Sequence, residues 1–210
     1  MPVASPPASD RTPSPVADRP VADRRVAVAR GRRAAPVGDA LGRVFGRPWG
    51  RALVWLAGFA PAAWLALQVY RLYVGLPSAL GYEEPFKAVE HATGEHAIRF
   101  LLVSLAVSPL RQLTGWGWLQ KYRRVFGLLM FAYATFHLAA YAVLDLELQL
   151  GEVAREIVKR PYLLVGFTAW LLLVPLAVTS TRGWIRRLGG ARWNRLHRLA
   201  YVVVPIALVH

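Results

Sequence analysis

Long apolar runs separated by short polar segments dominate the chain from residue 48 onward. A helix of about 20 apolar residues is what a hydrocarbon layer of roughly 30 Å requires. The pattern therefore predicts an all-α integral membrane protein, a transmembrane helical bundle with five visible spans. The expected spans are residues 52–74, 96–113, 122–144, 162–179 and 197–210.

Both ends of the chain depart from this pattern. Residues 1–44 are rich in Pro, Ala and Arg and poor in aromatic residues. Such a composition cannot bury enough apolar surface to fold, so we expect a disordered tail ahead of a membrane domain at residues 48–210. The last apolar run, from His197 to His210, is short for a span, so we expect the sequence as given to stop within a helix.

Basic residues predict how the spans are oriented. The tail and the segments after the second and fourth spans are rich in Arg and Lys, whereas most carboxylates lie in the other two connections. Because basic connections stay in the cytoplasm, we expect the N-terminus to be inside. The net charge of +14 then reflects membrane orientation and does not indicate nucleic-acid binding. Residues 147–159 have the mixed charge of a surface helix.

Histidine is the residue type that could hold a redox centre here, because the chain contains no cysteine. His137 lies thirteen residues beyond Arg124, and His210 lies thirteen residues beyond His197. Both helices run outward, so at about 1.5 Å per residue the two imidazoles reach similar depth. Two imidazoles at one depth on different helices suit a b-type heme, one on each face of the iron. The alternative for His137 is a core histidine bonded to a neighbouring helix.

The other candidate residues leave alternatives open. His197 stands among arginines at the inner boundary, where it could ligate a second heme or simply face the interface. Arg123 lies on nearly the same helical face as His137 and could contact a heme propionate. His91 and His96 are possible zinc ligands by type, but the sequence places no third protein ligand beside them.

Four segments of the sequence together resemble a known family: RFLLVSLAVSPLRQLTG, YRRVFGLLMFAYATFHLAAY, KRPYLLVGFTAWLLLVPLAVTS and LGGARWNRLHRLAYVVVPIALVH. They are similar to the heme-binding membrane subunit of the periplasmic methionine-sulfoxide reductase system, within the ferric-reductase-like transmembrane group. By this resemblance the family's histidine motifs fall on His137, His197 and His210, and its arginine on Arg123. The family usually carries Trp where His96 stands, and it has a sixth helix after the position of His210.

The resemblance implies an electron conduit in the bacterial inner membrane. Such a subunit holds b-type heme, with FMN as a further cofactor, and takes electrons from the quinone pool or a flavin reductase. It passes them to a periplasmic molybdopterin-containing methionine-sulfoxide reductase, the catalytic subunit that repairs oxidised periplasmic proteins. The chain would therefore be the electron-transfer subunit of an oxidoreductase system, not its catalytic subunit.

Two other classes of function stay open on the sequence alone. A stand-alone ferric or quinone-linked reductase would use the same heme, although the chain has no Gly-rich dinucleotide loop to take hydride from NADPH. A non-redox membrane transporter or scaffold would use its histidines structurally and would be colourless. The arginine-rich segment 182–198, with Trp184 and Trp193, is the candidate region for an anionic or aromatic ligand.

Overall fold

The computed structural model describes residues 36–80 and 84–210, and within them the chain forms helices and no strand, which confirms the all-α fold class. Most of the expected tail, residues 1–35, lies outside the described residues. The helices are α1 Pro36–Phe45, α2 Pro48–Tyr73, α3 Pro85–Thr114, α4 Gln120–Ala140, α5 Leu150–Lys159, α6 Pro161–Val178, α7 Arg182–Leu188, α8 Gly190–His197 and α9 Ala200–Val209. A 3-10 turn at Gly117–Leu119 precedes α4, and a π-helical turn at Tyr141–Asp145 follows it.

Four helical segments of the described chain are long and apolar enough to cross a membrane: α2, α3, the segment Gly117–Asp145 that contains α4, and α6. Large apolar side chains remain on their outer faces, among them Leu56 at 70 % exposure and Leu113 at 85 %. Apolar residues on all sides of a helix are typical of a membrane span. The protein is therefore a multi-pass membrane protein. The shorter α9 occupies the place of the expected fifth span.

The structure differs from the sequence prediction at the start of α3. The segment ahead of His96 was expected to be a loop, but α3 begins at Pro85. Proline suits the first turn of a helix because its missing N–H has no partner there anyway. Ion pairs of Glu84 with Lys87 and of Glu95 with Arg99 support these exposed turns. The carboxylates therefore do not prevent this segment from being helical.

The end of the expected disordered tail forms helix α1. Its last residue, Phe45, stacks on Trp118 with ring centres 5.8 Å apart. The Phe45 carbonyl accepts a hydrogen bond of 2.6 Å from the Tyr122 hydroxyl. These contacts attach α1 to the start of α4, so the packed part of the chain begins before residue 48.

Helix α4 is the centre of the bundle. It packs against α2, α3 and α6, while α9 packs against α6 and α3. The buried core is shared by α3, α4, α6 and α9, through Leu101, Met130, Ala169, Leu173 and Val203. The four helices that share this core also surround the candidate site.

A buried hydroxyl joins α4 to α2. Tyr133 is fully buried, and its hydroxyl donates to the Gly58 carbonyl at 2.8 Å and accepts from the Ala62 N–H at 3.0 Å. In an uninterrupted helix those two backbone groups would bond each other. The adjacent Pro61 lies inside the helix, and a side chain inserted near a proline is a known cause of helix bending. The hydroxyl therefore satisfies backbone groups that a membrane core would otherwise leave unpaired.

Candidate functional site

The structure brings His137 and His210 together at one end of the bundle. His137 lies on α4 and His210 directly follows α9, and their ring centres are 6.0 Å apart with the planes at 76°. Imidazoles on opposite sides of one metal ion, each bound at about 2 Å, have ring centres roughly 6 Å apart. The observed separation fits a pair of axial ligands.

Each imidazole is held by a backbone carbonyl of a different helix. His137 Nδ1 donates to the Glu90 carbonyl of α3 at 3.0 Å, and His210 Nδ1 donates to the Tyr162 carbonyl of α6 at 2.7 Å. Because a carbonyl can only accept, each ring carries a proton on Nδ1. The Nε2 lone pair is left for a ligand, which is the usual arrangement of metal-binding histidines.

Two helical glycines make room for these rings. A Cβ on Gly94 of α3 would lie 3.3 Å from His137 Cε1, and a Cβ on Gly166 of α6 would lie 2.5 Å from His210 Cε1. Sequence reasoning missed both residues. Their signal was available, since glycine is unfavourable inside a helix unless close packing requires it.

A cavity of 1010 Å³ lies between α3, α4, α6 and α9 and is lined by both imidazoles. Its deep wall is apolar and includes Leu101, Met130 and Val203. Its mouth is polar, lined by Lys87, Glu90, His91, Asp145, Glu152, Glu156, Arg160 and Tyr162. Its volume lies at the upper end of the usual range for ligand pockets. A flat apolar macrocycle with one polar edge fits this distribution of residues.

His197 lies at the other end of the bundle, in α8, and does not line the cavity. Its ring stacks on Trp193 with centres 3.9 Å apart, and its Nε2 is 3.2 Å from the Thr179 hydroxyl. Burial, and after it the positive charges of Arg123 and Arg124, lower the pKa of His197. The ring is therefore a neutral one whose Nε2 already has a partner.

Arg123 is not brought to the His137 pair either. Its guanidinium donates to the Ser108 hydroxyl at 3.0 Å, and its carbonyl accepts from the Ser104 hydroxyl at 3.1 Å. It does not line the cavity. The sequence-based suggestion that Arg123 contacts a propionate therefore has no support in this geometry, and its contacts join α4 to α3.

The zinc alternative has no geometric support in the described part of the chain. His96 stacks on Tyr133 with ring centres 5.2 Å apart, and its Nδ1 bonds the Ala92 carbonyl at 2.7 Å. Among the described residues no three His, Asp or Glu side chains are grouped closely enough to hold a metal ion by themselves. His91 is exposed at the cavity mouth.

Comparison with known proteins gives the family. The family described as "Ferric reductase like transmembrane component" matches residues 93–208. The protein-methionine-sulfoxide reductase heme-binding subunit MsrQ of Xanthomonas euvesicatoria pv. vesicatoria is 49 % identical over 160 residues, which are 76 % of this chain and 72 % of that protein. MsrQ of Caulobacter vibrioides is 44 % identical over 158 residues, 75 % of this chain and 72 % of that protein. The chain belongs to the MsrQ family. No solved structure matches it.

The family match covers most of the candidate site. The matched residues 93–208 include Gly94, His137 and Gly166, and they extend through nearly all of α9. Helices α3, α4, α6 and α9, which surround the cavity, are therefore largely or wholly inside the ferric-reductase-like component. His210 and the Glu90 carbonyl lie just outside the matched residues.

Proposed function

We propose that this protein is the membrane electron-transfer subunit of a methionine-sulfoxide reductase system, with b-type heme bound between His137 and His210. The observation that carries the proposal is the pair of imidazoles 6.0 Å apart, each with Nδ1 bonded to a carbonyl. Heme iron, when bound there, supplies reversible one-electron transfer. The heme-binding name of the relatives supports the same cofactor.

The residues around the pair hold and shield the cofactor. The carbonyls of Glu90 and Tyr162 fix the tautomer and the direction of each ring. The apolar wall at Leu101, Met130 and Val203 excludes water from the macrocycle. A dry surrounding of low polarity is one of the means by which a protein sets a heme potential.

The remaining parts of the proposal concern partners and location. The electrons come from the quinone pool or a flavin reductase and leave to a periplasmic molybdopterin-containing catalytic subunit. The protein lies in the bacterial inner membrane with its N-terminus in the cytoplasm. Support comes from the arginines of α7 and α8, which would face the cytoplasm, while the His137 end carries carboxylates. Electrons would then leave at the periplasmic side.

FMN enters the proposal through the family resemblance alone. The arginine-rich segment 182–198 was the candidate region for such a ligand, but its aromatic rings have partners within the chain. Trp193 stacks on His197, and the Arg187 guanidinium lies 5.5 Å from the centre of the Trp184 ring. We therefore assign no residue to flavin.

An absorption spectrum of the full chain purified in detergent tests the heme site. The wild type is expected to show a Soret band, and both His137→Ala and His210→Ala are expected to lose most of it because one axial ligand is missing. His96→Ala is the matched control, since His96 lies in the same bundle but its Nδ1 bonds its own helix. A colourless wild type, or a His137→Ala variant with an unchanged band, would contradict the proposal.

The family description also favours one alternative, a stand-alone ferric reductase. The two functions differ in the electron acceptor. Heme reduced with a quinol should be reoxidised by the methionine-sulfoxide reductase catalytic subunit and only slowly by a ferric chelate. If the ferric chelate reoxidises the heme quickly and the catalytic subunit does not, the protein is a stand-alone ferric reductase.

A further inference from the structure

The cavity has positive charges at its mouth and none along its deep wall. A b-type heme carries two propionate carboxylates on one edge, so its site needs cationic or strongly donating groups at one place. Among the described residues that line the cavity, Lys87 and Arg160 carry a full positive charge. Both lie at the end that contains His137 and His210.

Arg160 contacts the side chain of Tyr162, the residue whose carbonyl holds His210. Its Nη1 is 3.4 Å from the Tyr162 hydroxyl, and the Tyr162 carbonyl accepts from His210 Nδ1. The guanidinium is paired with Glu156, but Lys159 Nζ also lies 3.9 Å from that carboxylate. Lys159 therefore keeps Glu156 compensated if Arg160 turns toward another anion.

Lys87 lines the cavity on the same helix as Glu90. It lies on α3 one turn before Glu90, whose carbonyl accepts from His137 Nδ1. Its ammonium group pairs with Glu84, whose side chain is 61 % exposed. Water can therefore solvate Glu84 if Lys87 turns away. Each of the two helical regions that hold a candidate ligand thus also places one cation in the cavity lining.

The opposite orientation of the macrocycle is unfavourable. Its carboxylates would then face Leu101, Leu173 and Val203, and an ionised carboxylate without a partner in an apolar wall is very costly. Acidic side chains also line the mouth, at Glu90, Asp145, Glu152 and Glu156. These side chains would repel the heme propionates. Binding of the propionates at the mouth therefore depends on Lys87 and Arg160.

We infer that the propionate edge of the heme lies at the cavity mouth, with Arg160 and Lys87 as its cationic partners. The inference rests on the proposed function and adds the direction in which the macrocycle is bound. Arg160 can donate two parallel hydrogen bonds to a carboxylate, whereas Lys87 acts as a point charge. Arg160 is therefore the stronger positioning residue.

Two porphyrins that differ only at the carboxylates test this assignment. Full chain depleted of heme is titrated with hemin and with hemin dimethyl ester, followed by absorbance. Arg160→Gln is expected to weaken hemin binding roughly fivefold, the size of a partly exposed ion pair, and Lys87→Gln roughly twofold. Neither variant should change binding of the ester, which has no ionised carboxylate, and unchanged ester binding also shows that the variant is folded.

A matched control comes from α3. Arg99→Gln removes a cation paired with Glu95, and neither Arg99 nor Glu95 lines the cavity. This control should bind the two porphyrins as the wild type does. If Arg160→Gln or Lys87→Gln binds hemin as tightly as the wild type, or weakens the ester equally, the assignment of that residue is wrong. If the wild type binds neither porphyrin, the proposed function itself fails.

Discussion

The two ends of the bundle each contain a partly buried histidine on or near α4, but the two rings are used differently. At one end the Nδ1 of His137 donates a hydrogen bond to a carbonyl, and the ring faces His210 at a cavity. At the other end His197 has its Nε2 at the Thr179 hydroxyl and one ring face covered by Trp193. The comparison teaches that a free ring nitrogen beside a cavity, and not the presence of histidine, distinguishes a candidate ligand.

The two ends also differ in charge. The segment 182–198 beside His197 holds six arginines and no acid. Around the cavity mouth, acids and bases alternate and pair, as Glu152 does with Arg155 and Glu156 with Lys159. A mixed, paired surface suits contact with water and proteins, whereas unpaired arginines suit the cytoplasmic membrane surface. The difference supports the proposed orientation.

Among substitutions that keep both candidate ligands, the largest effect should come from filling the space that Gly166 leaves for His210. Gly166→Ala places a methyl group 2.5 Å from the unshifted imidazole, so the ring must move. Overpacking of this kind costs about 1–3 kcal/mol, so we expect heme affinity to fall roughly tenfold. The measurement is hemin titration of the heme-depleted protein.

Gly127→Ala is the control for that substitution. Gly127 lies on α4, and its nearest neighbour would be the Ser104 hydroxyl at 3.7 Å, an ordinary contact. It should bind hemin as the wild type does. Equal affinities for the Gly166 variant and the wild type would show that the position of the His210 ring does not matter to the site.

A smaller effect, on stability alone, should come from removing the buried Tyr133 hydroxyl. Tyr133→Phe leaves the Gly58 carbonyl and the Ala62 N–H without their bridge. Hydrogen bonds between membrane helices are worth about 1 kcal/mol, so we expect a loss of that size in the free energy of unfolding. The Soret band per folded protein should stay unchanged, because Tyr133 does not line the cavity.

Thermal unfolding in detergent measures this loss, with Tyr201→Phe as the control. Tyr201 lies on α9 and is 60 % exposed. The free energies of unfolding of the two variants should differ by the contribution of the buried Tyr133 hydroxyl, about 1 kcal/mol. A Tyr133→Phe variant as stable as its control would mean that the two backbone groups bond each other once the hydroxyl is removed.

Part of this arrangement could be predicted from the sequence because helix geometry is regular. Equal distances along two helices that were expected to run in the same direction predicted a similar depth for His137 and His210, and the structure brings them 6.0 Å apart. The carbonyls of Glu90 and Tyr162 could not be predicted, since every residue carries a carbonyl and its partner depends on helix packing. For the same reason the two glycines gave only a weak signal.

The acidic residues ahead of His96 led to the wrong prediction of a loop at the start of α3. Residue spacing in α8 could have improved the prediction for His197. Four carboxylates between residues 75 and 95 excluded a membrane core there, but pairs such as Glu95 and Arg99 suit an exposed helix. Trp193 and His197 are four residues apart, so a helix at this point stacks them on one face. That spacing was a sign that His197 had a partner within its own helix.

The smallest expected effect tests the His197 end directly. His197→Gln should leave the Soret band unchanged, because its Nε2 is engaged with Thr179 and the ring does not line the cavity. A glutamine amide can still bond the Thr179 hydroxyl, so loss of the Trp193 stack should cost less than about 1 kcal/mol in stability. His137→Gln, compared in the same spectrum, should lose most of the band because it removes a proposed ligand. Equal losses in the two glutamine variants would mean that His197 also binds heme, and the contrast between the two ends would not hold.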